Sequence, residues 1–174
     1  ELNAQAQWAN RRIGVKEAHH PEAIWVATHE SPAMSSVTGT NVDVRWPAHS
    51  IVGSKGFELI DGLPAITEYD YYVWQGVELD MHPYGVCFHD LTENLSTGIL
   101  EYLHCQAIDT VIVGGLATDY CVKISVLQLL AAQFQVIVNL AACRGVEPTA
   151  TQAALETMRA SGARLVTRAS QLTQ

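Results

Sequence analysis

Short apolar runs rich in β-branched and aromatic residues alternate with segments of helical periodicity along this chain. Such runs are typical of buried strands when polar or glycine-containing segments bound them. The runs are AIWVAT (23–28), YYVW (71–74), TVIVGG (110–115), QVIVNL (135–140) and RLVT (164–167). Between the later runs, apolar residues at helical spacing predict helices over 95–106, 121–134 and 149–161. Leu2, Ala6, Ala9 and Ile13 predict an earlier helix, and Thr149 with Gln152 has capping-box spacing.

Strands that alternate with helices of this length imply crossover connections and a parallel sheet covered on both faces. The predicted fold class is therefore α/β, a three-layer α/β/α arrangement with a doubly wound, mostly parallel sheet. A length of 174 residues suits one domain, predicted over 1–174. Two irregular stretches, 30–53 and 75–94, hold Gly, Pro, His and aromatic residues. We expect them to wall a site at the carboxyl ends of the strands.

Charge and composition exclude several classes of partner. A net charge of −8 without a basic cluster argues against binding to nucleic acid or to an anionic membrane. No apolar run reaches the roughly 18–20 residues that cross a bilayer, and the first residues lack the pattern of a signal peptide. We therefore expect a cytoplasmic protein with reduced cysteines, and the spacing of those cysteines matches no zinc motif.

Cys121 falls where the buried run 110–115 gives way to a predicted helix. Unpaired amides and the dipole at a helix start favour a thiolate over a thiol, which suits a nucleophile. The same amides could hold the oxyanion that forms when an acyl carbon is attacked. The alternative is a small apolar core residue, because cysteine is among the most buried residue types. Position alone leaves both interpretations open.

The sequence GLATDYCVK (115–123) resembles the nucleophile turn of the nicotinamidases, within the isochorismatase-like cysteine hydrolase family. CRGV (143–146) and WPAH (46–49) resemble the same group, and the resemblance extends over nearly the whole chain. It implies an α/β/α protein that hydrolyses nicotinamide to nicotinate and ammonia through a cysteine thioester, with a lysine and an aspartate completing the triad. It also implies a cis peptide bond before Ala117, and an oxyanion hole formed by the amides of Ala117 and Cys121.

The resemblance also implies roles for individual residues. Cys121 matches the nucleophile, and Trp46, Tyr84 and Leu116 match residues of the substrate pocket. In the family this pocket holds a divalent metal, bound by an aspartate and histidines, that binds the pyridine nitrogen. His49 of WPAH matches one of those histidines. The resemblance thus implies zinc, iron or manganese and no organic cofactor.

Three positions depart from the family pattern. Gln75 in VWQG stands where the family has its catalytic lysine, and an amide carries no positive charge to stabilise a thiolate. His29 in HESP stands at the aspartate of a metal motif that is similar to DWHP in the family, so His29 and His49 are the predicted metal ligands. Gly85 replaces the serine beside the family's tyrosine.

The family's first strand, which carries the triad aspartate, has no counterpart in this sequence. We expect either a segment outside this sequence or another segment in its place, since a central strand cannot be deleted without exposing two edges. His82 and His89 are extra titratable groups in the second irregular stretch, and we interpret both as surface histidines.

Three hypotheses follow for the function. The first is a nicotinamidase-like cysteine amidohydrolase that acts on nicotinamide or another small aromatic amide. The second is a catalytically impaired or inactive homologue that keeps the fold to bind a ligand or partner. The third is an isochorismatase-like hydrolase with another substrate. Homo-oligomers are common in the family, but no sequence feature locates an interface.

Overall fold

A computed structural model describes residues 1–172, in which strands and helices alternate after residue 98 as the sequence predicts. The elements are α1 (Leu2–Ala6), β1 (Ile13–Glu17), β2 (Tyr71–Gln75), α2 (Ile99–Cys105), β3 (Thr110–Leu116), α3 (Lys123–Ala131), β4 (Gln135–Arg144), α4 (Pro148–Ala160) and β5 (Arg164–Val166). A π-helical turn, Thr118–Val122, precedes α3. Short 3-10 turns occupy Lys55–Phe57, Ile66–Glu68 and Ala169–Gln171.

The strands form two sheets, and the pairing in both is parallel, as the sequence predicts. In one sheet β1 pairs with β2, from Ile13 opposite Tyr71 to Glu17 opposite Gln75. In the other the order is β3, β4, β5, with an irregularity in β3 between Val113 and Gly115. The strand predictions over 71–74, 110–115, 135–140 and 164–167 are confirmed.

The predicted strand over 23–28 is wrong, and a strand that the periodicity missed lies earlier, at β1. Val26 makes only an isolated bridge to Trp46. The run is apolar because Trp25 is fully buried in a small core with Ala23 and Val42, so side-chain burial rather than sheet pairing explains it. The first helix is likewise shorter than predicted, because it ends at Ala6 and Ile13 begins β1.

The N-cap of helix α4 lies two residues earlier than predicted, at Glu147 rather than Thr149. Glu147 is the N-cap, and its carboxylate accepts a hydrogen bond of 2.6 Å from the amide of Ala150. Pro148 takes the first helical position, where the lack of an N–H costs nothing. The capping box of Thr149 and Gln152 is therefore replaced by a Glu–Pro start.

The chain divides into two compact units. Residues 1–12, 84–87 and those from 98 onward form the helical unit, and residues 13–83 and 88–97 form the loop-rich unit. In the helical unit, α3 packs against α4 and β4, and Val126, Val138 and Met158 are fully buried. Within residues 1–172, none of the helices combines the length and the apolar character that crossing a bilayer requires.

Candidate active site and metal centre

Cys121 lies in the turn that connects β3 to α3, which we call the cysteine turn (residues 114–122). The peptide bond between Leu116 and Ala117 is cis, as the resemblance implies. The carbonyl of Ala117 then accepts hydrogen bonds from the amides of Tyr120 (3.1 Å) and Val122 (3.0 Å), which closes the π-helical turn. Cys121 is partly exposed and lies beyond the carboxyl end of the parallel strand β3.

Asp119 fixes the cysteine turn to the start of α4. Its carboxylate is buried and accepts hydrogen bonds from the amides of Val146 and Glu147, each 3.0 Å at the shortest. These amides lie at and just before the helix cap, where backbone donors lack intrahelical partners. The predicted motifs around Cys121 and CRGV are thus joined by one carboxylate.

The segment 84–87 docks on α3 next to the cysteine turn. The Ser125 hydroxyl donates to the carbonyl of Cys121 (2.5 Å) and accepts from the amide of Val86 (3.2 Å). The Gln128 side chain accepts from the amide of Cys87 (3.1 Å). A Cβ atom at residue 85 would lie 2.1 Å from Oε1 of Gln128, so a side chain there would have to displace the Gln128 amide.

The predicted pocket residues of the helical unit lie at or beside the cysteine turn. The ring of Tyr84 lies 5.9 Å from the ring of Tyr120, the neighbour of Cys121. Leu116 is exposed at the end of β3, next to Ala117. Their contact with a substrate stays a prediction.

Gln75, which the resemblance matches to the family's lysine, is the last residue of β2 and is buried. Its side-chain amide donates a hydrogen bond of 2.9 Å to the carbonyl of Phe88. A neutral amide satisfied by a backbone carbonyl offers no acid–base group.

Three histidines of the loop-rich unit come together in what we call the histidine cluster, with Glu17 beside them. One ligand atom from each of His19, His49 and His82 lies within 4.8 Å of the others. Glu17 ends β1 and His19 follows it by two residues, while His82 comes after the bridge between Asn41 and Met81.

Backbone carbonyls orient two of these rings. Nδ1 of His19 lies 3.0 Å from the carbonyl oxygen of Gly76, and Nδ1 of His49 lies 2.7 Å from that of Pro47. A ring nitrogen bonded to a carbonyl carries the proton, so the Nε2 atom of the neutral ring keeps its lone pair. Both Nε2 atoms face Glu17, whose Oε2 lies 3.6 Å from that of His19 and 3.2 Å from that of His49.

These residues fit a divalent metal. Ligands about 2.0–2.1 Å from a tetrahedral ion lie roughly 3.3–3.4 Å apart, close to the spacing between Glu17 and the two Nε2 atoms. Among residues 1–172, no group hydrogen bonds to the buried Nε2 of His19, as expected of an atom reserved for another ligand. Imidazole and carboxylate donors suit zinc, iron and manganese.

The charges of the cluster support the same interpretation. Burial would raise the pKa of Glu17, but the imidazoles of His19 and His49 beside the carboxylate outweigh burial and hold that pKa far below its usual range. Burial opposes protonation of His49, yet its bonds to Glu17 and Pro47 raise its pKa. Burial, together with the nearby His19, lowers the pKa of His82 to about 4, so this ring is neutral at neutral pH.

Aromatic rings enclose the cluster. Trp46, the predicted pocket wall, lies parallel to His82 with ring centres 5.9 Å apart and an interplanar angle of 12°. Trp25 meets His19 and His82 edge-on at 4.6 and 4.4 Å, and its indole N–H donates to the carbonyl of Met81 (3.1 Å). Trp46 also lies near His49, with ring centres 6.5 Å apart, so both belong to this group of rings.

The predicted ligand pair of His29 and His49 needs correction. The structure groups His49 with His19 and His82, and His29 lies outside this group on an exposed turn. The error follows from the false strand over 23–28, because the strand that precedes Glu17 and His19 in the cluster is β1. Glu17 and His19 in KEAHHP have the acid–x–His spacing of DWHP, a signal that could have located them. The surface interpretation of His82 is also wrong, since only 2% of this residue is exposed.

Comparison with known proteins places these features in context. The Isochorismatase domain profile matches residues 79–170. Nicotinamidase of Escherichia coli (strain K12) is 35% identical over 126 residues, which cover 70% of this chain and 57% of that protein. The chain spans little more than half the length of the curated relatives it matches.

Solved structures match over more of the chain. A nicotinamidase/pyrazinamidase of Acinetobacter baumanii superposes with a TM-score of 0.87 at 24% identity, over 99% of this chain and 84% of that one. A pyrazinamidase of Pyrococcus horikoshii, solved in complex with zinc, gives a TM-score of 0.69 at 23% identity, over 88% of this chain and 73% of that one. These superpositions confirm the predicted α/β fold class.

Proposed function

Because this chain belongs to the isochorismatase family, shown by the match over residues 79–170, we propose that it is a nicotinamidase-like cysteine amidohydrolase. Its substrate would be a small aromatic amide such as nicotinamide, hydrolysed to nicotinate and ammonia in the cytoplasm as a step of NAD salvage. The observation that carries the proposal is the position of Cys121, a partly exposed thiol in a closed turn between a parallel strand and a helix. The 35% identity to a nicotinamidase supports the choice of substrate.

The proposed reaction has two steps at Cys121. The sulfur bonds to the amide carbon, the C–N bond breaks, and ammonia leaves with the thiol proton, which gives a thioester. Water then attacks the thioester, releases the carboxylic acid and restores the thiol. We assign the backbone amides of Ala117 and Cys121 to the oxyanion that forms in each step. Asp119 and Ser125 position the turn through its backbone.

Glu17, His19 and His49 would hold a divalent metal in the loop-rich unit. When bound, the metal supplies a Lewis acid to which a pyridine-type nitrogen can bind. Trp46 offers an aromatic face beside the cluster on which a heterocycle can stack. The carbonyls of Gly76 and Pro47 keep the lone pairs of the two histidines aimed at one point.

Gln75 favours a second candidate function, that of a homologue which binds the ligand without turnover. Its amide is engaged with the carbonyl of Phe88, and it cannot accept or release a proton. Loss of a general acid–base group typically lowers a rate by about 10²–10⁴. The metal centre and the aromatic face would then serve binding alone.

Ammonia release by the full-length protein separates the two candidates. We would measure it from nicotinamide and from pyrazinamide with added zinc, iron or manganese. Turnover that disappears in Cys121→Ala and persists in Cys105→Ala supports the amidohydrolase, since Cys105 is exposed at the end of α2. A folded protein that binds nicotinamide without releasing ammonia supports the second candidate. Release of ammonia by Gln75→Lys alone would identify residue 75 as the cause.

A further inference from the structure

His82 occupies the histidine cluster in a way that the family resemblance does not explain. Its ring lies between two others, parallel to Trp46 at 5.9 Å and nearly parallel to His19 at 5.2 Å with an interplanar angle of 19°. The edge contact with Trp25 at 4.4 Å closes a further side. A flat nitrogen heterocycle thus already stacks on Trp46, the face that the proposed function assigns to the substrate.

The backbone holds His82 in this place. The amide of His82 donates to the carbonyl of Asn41 (2.9 Å). The preceding carbonyl, that of Met81, accepts from the Trp25 indole. Pro83 follows and fixes its own backbone angle. Hydrogen bonds at the amide of His82 and at the carbonyl of the preceding residue therefore fix the backbone that carries the ring.

We propose that His82 is a third imidazole ligand of the metal centre, and that a heterocyclic amide must displace it to reach the metal beside Trp46. This inference rests on the metal centre of the proposed function. It adds one ligand to that centre and a means of controlling access to it.

Coordination number explains why the added ligand matters. Catalytic zinc sites keep three protein ligands and an open position, whereas four protein ligands close a tetrahedral site. Glu17, His19 and His49 alone would leave the open position. With His82 they would fill it, so the metal-loaded centre would be closed until His82 is displaced.

The number of imidazoles on the metal tests the proposal without any turnover. X-ray absorption of the zinc-loaded, full-length wild-type protein is expected to show three imidazoles. Two imidazoles, or a protein that takes up no zinc, would overturn it. Ammonia release is not needed for this measurement, so an inactive protein with three imidazoles would contradict the amidohydrolase and leave this inference standing.

Variants of His82 give a second measurement in a Cys121→Ala background, where the thiol cannot bind metal. His82→Phe keeps a ring between Trp46 and His19 but removes both nitrogen donors. We expect cobalt to bind about tenfold or more weakly than in the parent, with a changed visible spectrum. His29→Ala is the matched control, because this exposed histidine should leave the affinity and the spectrum unchanged. Equal affinity and equal spectra in His82→Phe and its parent would overturn the proposal.

Access is tested by adding nicotinamide to the cobalt-loaded proteins. In His82→Ala, which vacates the face of Trp46, nicotinamide is expected to change the visible spectrum at a concentration about tenfold lower than in the parent. The same concentration dependence in both would overturn the displacement step. Near-ultraviolet circular dichroism confirms that each variant is folded before its spectrum is interpreted.

Discussion

The cysteine turn and the histidine cluster are built in opposite ways. The cysteine turn is one continuous stretch, closed by backbone hydrogen bonds to Ala117 and fixed by Asp119. The histidine cluster gathers side chains from three separated segments, and ring contacts with Trp25 and Trp46 hold them. A continuous turn carries its geometry in local sequence, whereas a cluster of distant side chains depends on the packing around it.

The largest effect should come from removing the packing of the cluster. Trp25 is fully buried and contacts His19, His49 and His82, so Trp25→Ala should lower the free energy of unfolding by about 3–5 kcal/mol. Metal binding should be lost with it. Denaturant unfolding and zinc titration of the full-length protein measure both quantities.

Trp8→Ala is the control for this change, because 47% of Trp8 is exposed. It should leave unfolding and metal binding close to wild type. If Trp25→Ala were no more damaging than this control, the cluster would not depend on its aromatic packing, and the contrast with the cysteine turn would fail.

The cysteine turn should instead respond to loss of a backbone contact. Asp119→Ala leaves the amides of Val146 and Glu147 without their carboxylate, which should cost about 1–3 kcal/mol of unfolding free energy. The rate of Cys121 alkylation, located by peptide mass spectrometry, should also change because the turn loses its attachment.

Asp119→Asn is the matched variant, because it keeps the size and one acceptor oxygen. We expect an intermediate loss of stability. An Ala variant as stable as wild type, with unchanged Cys121 alkylation, would show that the turn is fixed by its own backbone bonds alone.

The same contrast explains which features the sequence could predict. The strands of the helical unit are mostly apolar runs, so the sequence predicts β3 and β4 from composition. It predicts the helices beside them from the helical spacing of their apolar residues. Strand β1 has only Ile13 and Val15 as large apolar residues and ends in Lys16 and Glu17, so its pattern is too weak to find. The AIWVAT run has the composition of a buried strand. Its apolar residue Trp25 is buried in a small side-chain core with Ala23 and Val42, not in a sheet.

The candidate site residues also differ in how well the sequence predicts them. The sequence alone identifies Cys121 as a candidate site residue, because its neighbours in sequence form a continuous family pattern. It does not identify His82 and His19 in this way, because their role depends on rings and carbonyls far away in sequence, such as Trp46 and Gly76. Only tertiary structure brings these groups together. Because the sequence predicts a strand over 23–28 instead of β1, the predicted metal ligand is His29 instead of His19.

A smaller effect tests how finely the cluster is placed. Gly76 has φ of +70°, and a Cβ there would lie 2.6 Å from Cε1 of His19. Gly76→Ala should cost about 1–2 kcal/mol from the backbone alone, and it should also weaken zinc binding by moving His19. Gly53→Ala is the matched control, because Gly53 has φ of +83° with nothing within 4 Å of the added Cβ. Equal zinc affinities in the two variants would show that His19 tolerates displacement.

The smallest effect concerns a carboxylate of the loop-rich unit away from the histidines. Asp90 accepts hydrogen bonds from the Thr92 hydroxyl and from the amides of Asn94 (3.0 Å) and Leu95 (2.9 Å), and these bonds hold its pKa below the usual value. A carboxyl with a lower pKa in the folded state stabilises the fold above its unfolded pKa of about 3.9. That stability is lost as pH falls through the folded pKa. Asp90→Asn should therefore flatten the acid side of the stability profile below about pH 4, measured by urea unfolding at each pH. An unchanged acid slope in this variant would mean that other carboxylates set the acid sensitivity, and that the loop, like the cysteine turn, is held mainly by its backbone.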